Sequence, residues 1–359
     1  MNEPTLTPTV VIGAGLVGAS IGAALTEADV EVHLIDRVSA HATVAASRGA
    51  GSVAPADPDR VRLVVVAVPP AGLSDVIADA LTSYPRATVT DVGSVKGTVL
   101  AELRSRGLDL SRYVGSHPMA GSQKVGPMTS RANLFVDRTW VVTPHDTSRA
   151  KAVLTVSTLA RKCRARVVSM GATHHDEAVA QVSHLPQIMS SLTAGRLNDV
   201  PDEHLTLAGQ GLRDVTRIAQ SDATLWTQII SANSDAVRAE LEAVRESLDA
   251  LLANWGDEKA LRNFLAQARQ GTQAIPGKHG SDAVDYAEVV VAIPDAPGAL
   301  ARLFTDIQDA GVNVEDVRIE HDPVLEVGYL AVQVEQPVVA DLEQAMVAAG
   351  WTLRYSESL

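Results

Sequence analysis

Apolar residues follow two different rhythms along this chain, and the change falls near residue 171. Before it, short apolar runs recur at 9–12, 30–35, 63–68, 87–92, 113–116, 139–143 and 166–169. Continuous β-branched runs such as 63–68 suit strands buried on both faces of a parallel sheet. Helical spacing lies between several of them, as at Ile21, Ala24 and Leu25. This alternation predicts an α/β, Rossmann-type doubly wound parallel sheet over about 6–171. After residue 171 the strand rhythm stops. The spacing predicts helices over 174–196, 203–221, 224–253 and 257–270. In the third, Ile229, Ile230, Ala236, Val237, Leu241, Val244, Leu248, Leu251 and Leu252 form one apolar stripe. Such a stripe serves either an intrachain core or a subunit interface.

The stretch 272–284 is rich in Gly, Pro and polar residues and reads as a linker. Beyond it, strands are expected over 288–293, 312–321, 328–334 and 351–355, with helices over 299–310 and 339–349. The order βαββαβ is a ferredoxin-like arrangement. The expected division is therefore 1–171, 172–271, a linker at 272–284, and 285–359. A length of 359 residues accommodates two or three domains of ordinary size.

Charge sharpens this division. The chain has 30 Lys and Arg against 43 Asp and Glu, a net charge of −13, and only 3% aromatic residues. That balance excludes a general nucleic-acid binder, which needs basic excess and stacking surfaces. Residues 1–171 hold 18 basic and 14 acidic residues, net +4; 172–271 hold 8 and 14, net −6; 285–359 hold 3 and 14, net −11. A single cysteine, Cys163, rules out an intrachain disulfide and suits a reducing compartment. The first residues show no leader pattern, and no apolar run is long enough to span a bilayer. A cytoplasmic protein with no membrane partner is expected.

The chemistry gathers at expected strand ends. Gly13-Ala-Gly15-Leu16-Val17-Gly18 follows a strand and opens a helix. Its glycines permit a tight turn, so that backbone N–H groups approach a pyrophosphate at the helix N-terminus. Asp36 ends the next strand and is placed for a ribose 2′-hydroxyl, which favours NAD; the neighbouring Arg37 would suit a 2′-phosphate. His117, in Gly-Ser-His-Pro-Met-Ala-Gly, lies at a strand's carboxyl end, and Pro118 restricts its backbone. An imidazole there either takes a proton from a hydroxyl or simply packs. Ser94, in Asp-Val-Gly-Ser-Val-Lys, either caps the next helix or bonds to substrate or His117. Lys96 reads as a solvated or phosphate-facing charge. His174 and His175 point to different helix faces and lack zinc spacing, so no metal is expected. Arg213 and Arg217, four apart on one expected helix face, either clamp a carboxylate or pair with Asp214.

Taken in order, GAGLVGASIGAAL, DVGSVK, GSHPMAG, THHDEAVAQVSHLP and GLRDVTRIA resemble the prephenate and arogenate dehydrogenases of tyrosine biosynthesis over about 9–270. The tail, with IPDAPGAL at 293–300 and GVNV at 311–314, resembles an ACT domain. The resemblance implies NAD-dependent oxidative decarboxylation, with His117 accepting the hydroxyl proton and Ser94 assisting. It implies Arg217 on a substrate carboxylate with Arg213 close by, and His184 and Gln187 at the substrate. The helical domain would form a homodimer. Tyrosine would act as effector near Asp295, Gly298 and Asn313. Many family members have His where this chain has Gln187, a neutral amide, which leaves prephenate and arogenate both open as substrate. Two other readings remain: a 3-hydroxyacid dehydrogenase, which would need a catalytic Lys in the helical domain, and a non-catalytic amino-acid sensor.

Overall fold

The computed structural model describes residues 4–120, 126–275, 286–294, 296–322 and 327–354. Contacts divide the chain into two units, Met1–Ala253 and Asn254–Leu359.

In the first unit, β1 (Thr9–Ile12), β2 (Val32–Ile35), β3 (Leu63–Val66) and β4 (Thr88–Asp91) form a parallel sheet in the order β2-β1-β3-β4. Four helices accompany these strands: α1 (Leu16–Glu27), α2 (Ser39–Ser47), α3 (Leu73–Ser83) and α4 (Gly97–Ser105). Successive side chains of a strand point to opposite faces. Val11, Leu63 and Val65 accordingly join Ile21 and Leu25 of α1 on one face. Val10, Val64, Val66 and Val89 meet Leu73 and Ile77 of α3 and Leu103 of α4 on the other. Both faces are covered, which is why these strands read as unbroken apolar runs.

The sheet is not parallel throughout. β5 (Gly115–Pro118) continues from β4 through a parallel bridge, Val89↔Tyr113, but pairs antiparallel with β6 (Thr139–Thr143). β7 (Arg166–Ser169) then runs parallel to β6 after α5 (Ala150–Lys162). A parallel return needs a crossover, usually helical. Between β5 and β6 the described residues offer only a 3-10 turn at Pro127–Thr129, so the chain doubles back.

The helical part is more broken than its periodicity suggests. The expected helix 174–196 is α6 (Ala172–Val179), a π turn at Ala180–His184, and α7 (Leu185–Arg196). Pro186 in the first turn of α7 has no N–H to extend a regular α-helix backwards. The expected 203–221 is α8 (Asp202–Leu205), α9 (Gln210–Thr216) and a 3-10 turn at Arg217–Gln220. The expected 224–253 is split at Asn233 into α10 (Ala223–Ala232) and α11 (Ser234–Ala253). Asparagine competes for backbone hydrogen bonds and favours such breaks. Of the long stripe, Leu248 and Leu252 on α11 are exposed.

The second unit begins with α12 (Glu258–Gln273), which runs past the expected linker start. Then come β8 (Tyr286–Pro294), α13 (Ala299–Asp309), β9 (Asp316–Asp322), β10 (Val327–Glu335), α14 (Val339–Ala348) and β11 (Thr352–Arg354). The strand order β11-β8-β10-β9 is antiparallel throughout. Val289, Val291 and Ile293 of β8 pack with Leu330, Val332 and Val334 of β10 against Leu303, Ile307, Leu342 and Met346 of the helices.

The loop after β4 is fixed by a buried charge pair. The Lys96 ammonium donates to Asp91 and to the Ser116 carbonyl at 2.9 Å. The Tyr113 hydroxyl donates to the other Asp91 oxygen at 2.8 Å, and the Gly93 N–H donates to the carboxylate at 3.0 Å. Lys96 and Asp91 are fully buried. The expected solvated Lys96 is thus corrected: its charge neutralises an acid inside the sheet edge. Removing one partner strands the other in a medium that solvates it poorly. Lys96→Met should therefore cost about 3–5 kcal/mol, read as a fall in the urea midpoint of the unfolding transition that includes the first unit.

Candidate active site

The glycine loop is shaped by steric necessity at two positions and left open at a third. Gly13 has φ +102°, and a Cβ there would lie 2.2 Å from the Ala67 carbonyl oxygen. A Cβ on Gly18 would lie 1.9 Å from the Gly13 oxygen. Gly15, by contrast, has nothing within 4 Å of its Cβ position. It is the N-cap of α1, and no side chain caps that helix end. The loop therefore offers backbone donors and free space to an anion. Leu16 and Val17 are partly buried against the core. Asp36 holds the loop: Oδ2 accepts from the Ala14 N–H at 2.7 Å and Oδ1 from the Val38 N–H at 2.8 Å. A carboxylate has about four acceptor positions, which leaves room for ribose hydroxyls. Arg37 is exposed. These residues fit a dinucleotide.

His117 lies at the carboxyl end of β5, the sheet edge that also carries the glycine loop. Its Nδ1 is 2.9 Å from His175 Nε2, and His175 Nδ1 is 2.8 Å from Asp176 Oδ1. Asp176 in turn accepts the Lys96 N–H at 2.8 Å and the Gly97 N–H at 2.7 Å. These N–H groups open α4. The cap of α4 thus comes from Asp176 and not from Ser94, as the local sequence suggested; the distant carboxylate supplies what the local serine does not. No hydrogen bond joins Ser94 to His117 among the described residues. Ser94 instead lines a cavity of about 370 Å³ with Leu73, Thr98, Glu102, Gln228 and Ser231.

The Asn233 amide donates to the Asp176 carbonyl at 2.8 Å and lies 3.2 Å from His184 Nδ1. The His184 ring meets the Trp226 ring edge-on, with centroids 6.0 Å apart. Neither Asn233 nor His175 was singled out as a partner by spacing. The signals were a polar residue interrupting an apolar stripe and a His-Asp pair on one turn. His184 closes the π turn, immediately before α7.

The two arginines lie where α9 passes into a tighter turn. Arg213 is on α9, whereas Arg217 opens the following 3-10 turn, and both are exposed. Gln187 is buried, and its Nε2 donates to the Ile218 carbonyl at 3.0 Å, fastening that turn to α7. His174 is exposed beside Glu177. Among the described residues no group of three His, Cys, Asp or Glu is placed to hold a metal ion. In the second unit, Gly298 has φ +86° before α13 and Asn313 lies in the irregular segment before β9, while Asp295 falls outside the described residues.

Burial favours the neutral form of His117 and of His184. Burial, followed by the proximity of His175, Lys96 and His184, holds His117 well below the ordinary imidazole range. Burial likewise pushes His184 down to about 4, against an opposing pull from Asp176. A neutral imidazole has one bare nitrogen and can accept a proton.

A glycine loop on a helix N-terminus, with a neutral histidine at the same sheet edge, defines a Rossmann-type, nucleotide-dependent dehydrogenase. The family is specific. The prephenate dehydrogenase nucleotide-binding domain matches residues 21–169, and the prephenate dehydrogenase dimerization domain matches 171–267. Probable prephenate dehydrogenase NovF of Streptomyces niveus is 34% identical over 327 residues, covering 88% of this chain and 90% of that protein. The chain belongs to the prephenate dehydrogenase family and is an oxidoreductase. Two solved structures share its fold. Prephenate dehydrogenase from A. aeolicus, in complex with hydroxyphenyl propionate and NAD+, has TM-score 0.68 and 24% identity, covering 76% of this chain and all of that one. Synechocystis arogenate dehydrogenase has TM-score 0.64 and 24% identity, covering 75% and 100%. Among the described residues no helix is long and apolar enough to cross a membrane.

The lowered values of His117 and His184 have a defined sign. Each binds a proton in the unfolded chain near pH 6.5 and resists it when folded. Their contribution is fully present above about 6.5 and is lost as pH falls towards the folded values. The urea midpoint should therefore drop between about pH 6.5 and 4, and His184→Gln should flatten that slope. An unchanged slope in the variant would refute the assignment to His184.

Proposed function

We propose that this chain catalyses the NAD-dependent oxidative decarboxylation of prephenate to 4-hydroxyphenylpyruvate. The observation that carries this reading is a neutral His117 at the sheet edge that presents the open loop at Gly15. Bound NAD supplies the hydride acceptor. His117 accepts the proton of the ring hydroxyl as the carbon bearing it is oxidised. The ring carboxylate leaves as carbon dioxide, and aromatisation makes the step effectively irreversible. Gly13, Gly15, Leu16, Val17 and Gly18 take the pyrophosphate, and Asp36 takes the ribose, with Arg37 at the rim.

Arg217, with Arg213 nearby, supplies cationic groups to the anionic substrate. Gln187 acts on substrate through the Arg217 turn that it fastens. Ser94 and His184 complete the pocket. Residues 172–271 form the substrate and dimerisation domain, a reading supported by the exposed Leu248 and Leu252. Arogenate is the second reading. It is favoured by the neutral Gln187, which stands where many family members have His. The sheet of 285–359 acts as an ACT-type regulatory domain that binds tyrosine near Gly298 and Asn313, a reading supported by its βαββαβ order.

NADH absorbance on purified protein separates these readings. His117→Asn should lower kcat by at least about 100-fold while NAD still binds. Near-normal turnover would remove the proton-acceptor role. A higher kcat/KM for prephenate than for arogenate supports the first reading, and the reverse order supports the second. Tyrosine should lower the rate of the full chain, and Asn313→Ala should raise the tyrosine concentration for half inhibition several-fold. Indifference of the parent chain to tyrosine removes the regulatory reading.

A further inference from the structure

The row of groups behind His117 starts from a buried carboxylate that can only accept. Asp176 faces two backbone N–H groups: its Oδ1 accepts that of Lys96 and its Oδ2 that of Gly97. It sits at the N-terminus of α4, where a negative charge is favoured. Its carboxylate is therefore an acceptor, and the contact at 2.8 Å makes His175 Nδ1 a donor. His175 is completely buried, and with Nδ1 donating to the carboxylate the neutral form of its ring presents a bare Nε2. The 2.9 Å contact then needs a hydrogen on His117 Nδ1, which leaves His117 Nε2 bare.

We propose that His175 and Asp176 are positioning residues that fix His117 in the tautomer with a bare Nε2, aimed as the proton acceptor. This rests on the reading of His117 as the base. Asp176 is in turn held by α4 and by the Asn233 amide on its carbonyl, so the tautomer is set by packing between elements far apart in the chain. The opposite tautomer would put a hydrogen on Nε2 and close the site to proton transfer. When His117 takes the hydroxyl proton at Nε2, its Nδ1–H bond to His175 becomes charge-assisted and so stronger. The stabilisation grows with the charge, which is what a transition state needs.

Two substitutions separate this role from simple packing. A Gln side chain at 175 carries its amide oxygen to the place of Nε2 and still accepts from His117. An Asn side chain reaches only the place of Nδ1 and keeps the Asp176 contact alone. His175→Asn should lower kcat by about 100-fold, with KM for NAD and prephenate changed less than about threefold and the melting temperature near that of the parent. His175→Gln should recover kcat to within about tenfold of the parent. Equal loss in both variants, or no loss in either, overturns the proposal. His117→Asn serves as the control. If it is inactive while His175→Asn is active, only the positioning role fails. If it retains activity, the base assignment fails.

Discussion

The carboxylate of Asp176 is the contact on which the site depends. It lies in α6, about eighty residues from the helix it caps, and closes the N-terminus of α4 through Lys96 and Gly97. The same group orients His175, and its backbone carbonyl receives Asn233. One acid thus ties the loop after β4, the base of the helical segment and the α10–α11 junction to a common point. Thr98 reinforces the arrangement by donating to the Ala232 carbonyl at 2.6 Å, at the end of α10. A helix end and a histidine are both incomplete alone, and each is satisfied by a partner that needs the other in place.

The buried Lys96–Asp91 pair works beside it. Its charges cancel within the sheet edge, and Tyr113, Gly93 and the Ser116 carbonyl satisfy what remains. The Lys96 backbone N–H meets Asp176 while its side chain meets Asp91. The loop therefore cannot shift without breaking both contacts. Burial, with His175 and Lys96 close by, disfavours protonation of His117.

Much of the architecture was legible because it comes from local rules. The apolar runs gave β1 to β4 because both sheet faces are covered by helices. Glycine spacing gave the loop because Gly13 and Gly18 leave no room for a Cβ. The antiparallel turn at β5–β6 was missed because strand periodicity carries no direction. The breaks at Ala180–His184, Arg217–Gln220 and Asn233 were missed because one apolar stripe continues across them. Pro186 and Asn233 marked two of these breaks, but a single residue weighs little against a long periodic pattern. Lys96 was misread because charge alone implies exposure, and its partner Asp91 lies on the strand before.

By itself, then, the sequence determined the class: a dinucleotide loop, a histidine at a strand end and an ordered motif set shared with one dehydrogenase family. Those features are local, and short-range sterics and periodicity encode them directly. Only the tertiary structure decided how His117 is backed, because His175, Asp176 and Asn233 come to it from 58 to 116 residues away along the chain. Hydrogen-bond direction depends on which donors and acceptors meet at about 3 Å, and that is settled only when the elements pack.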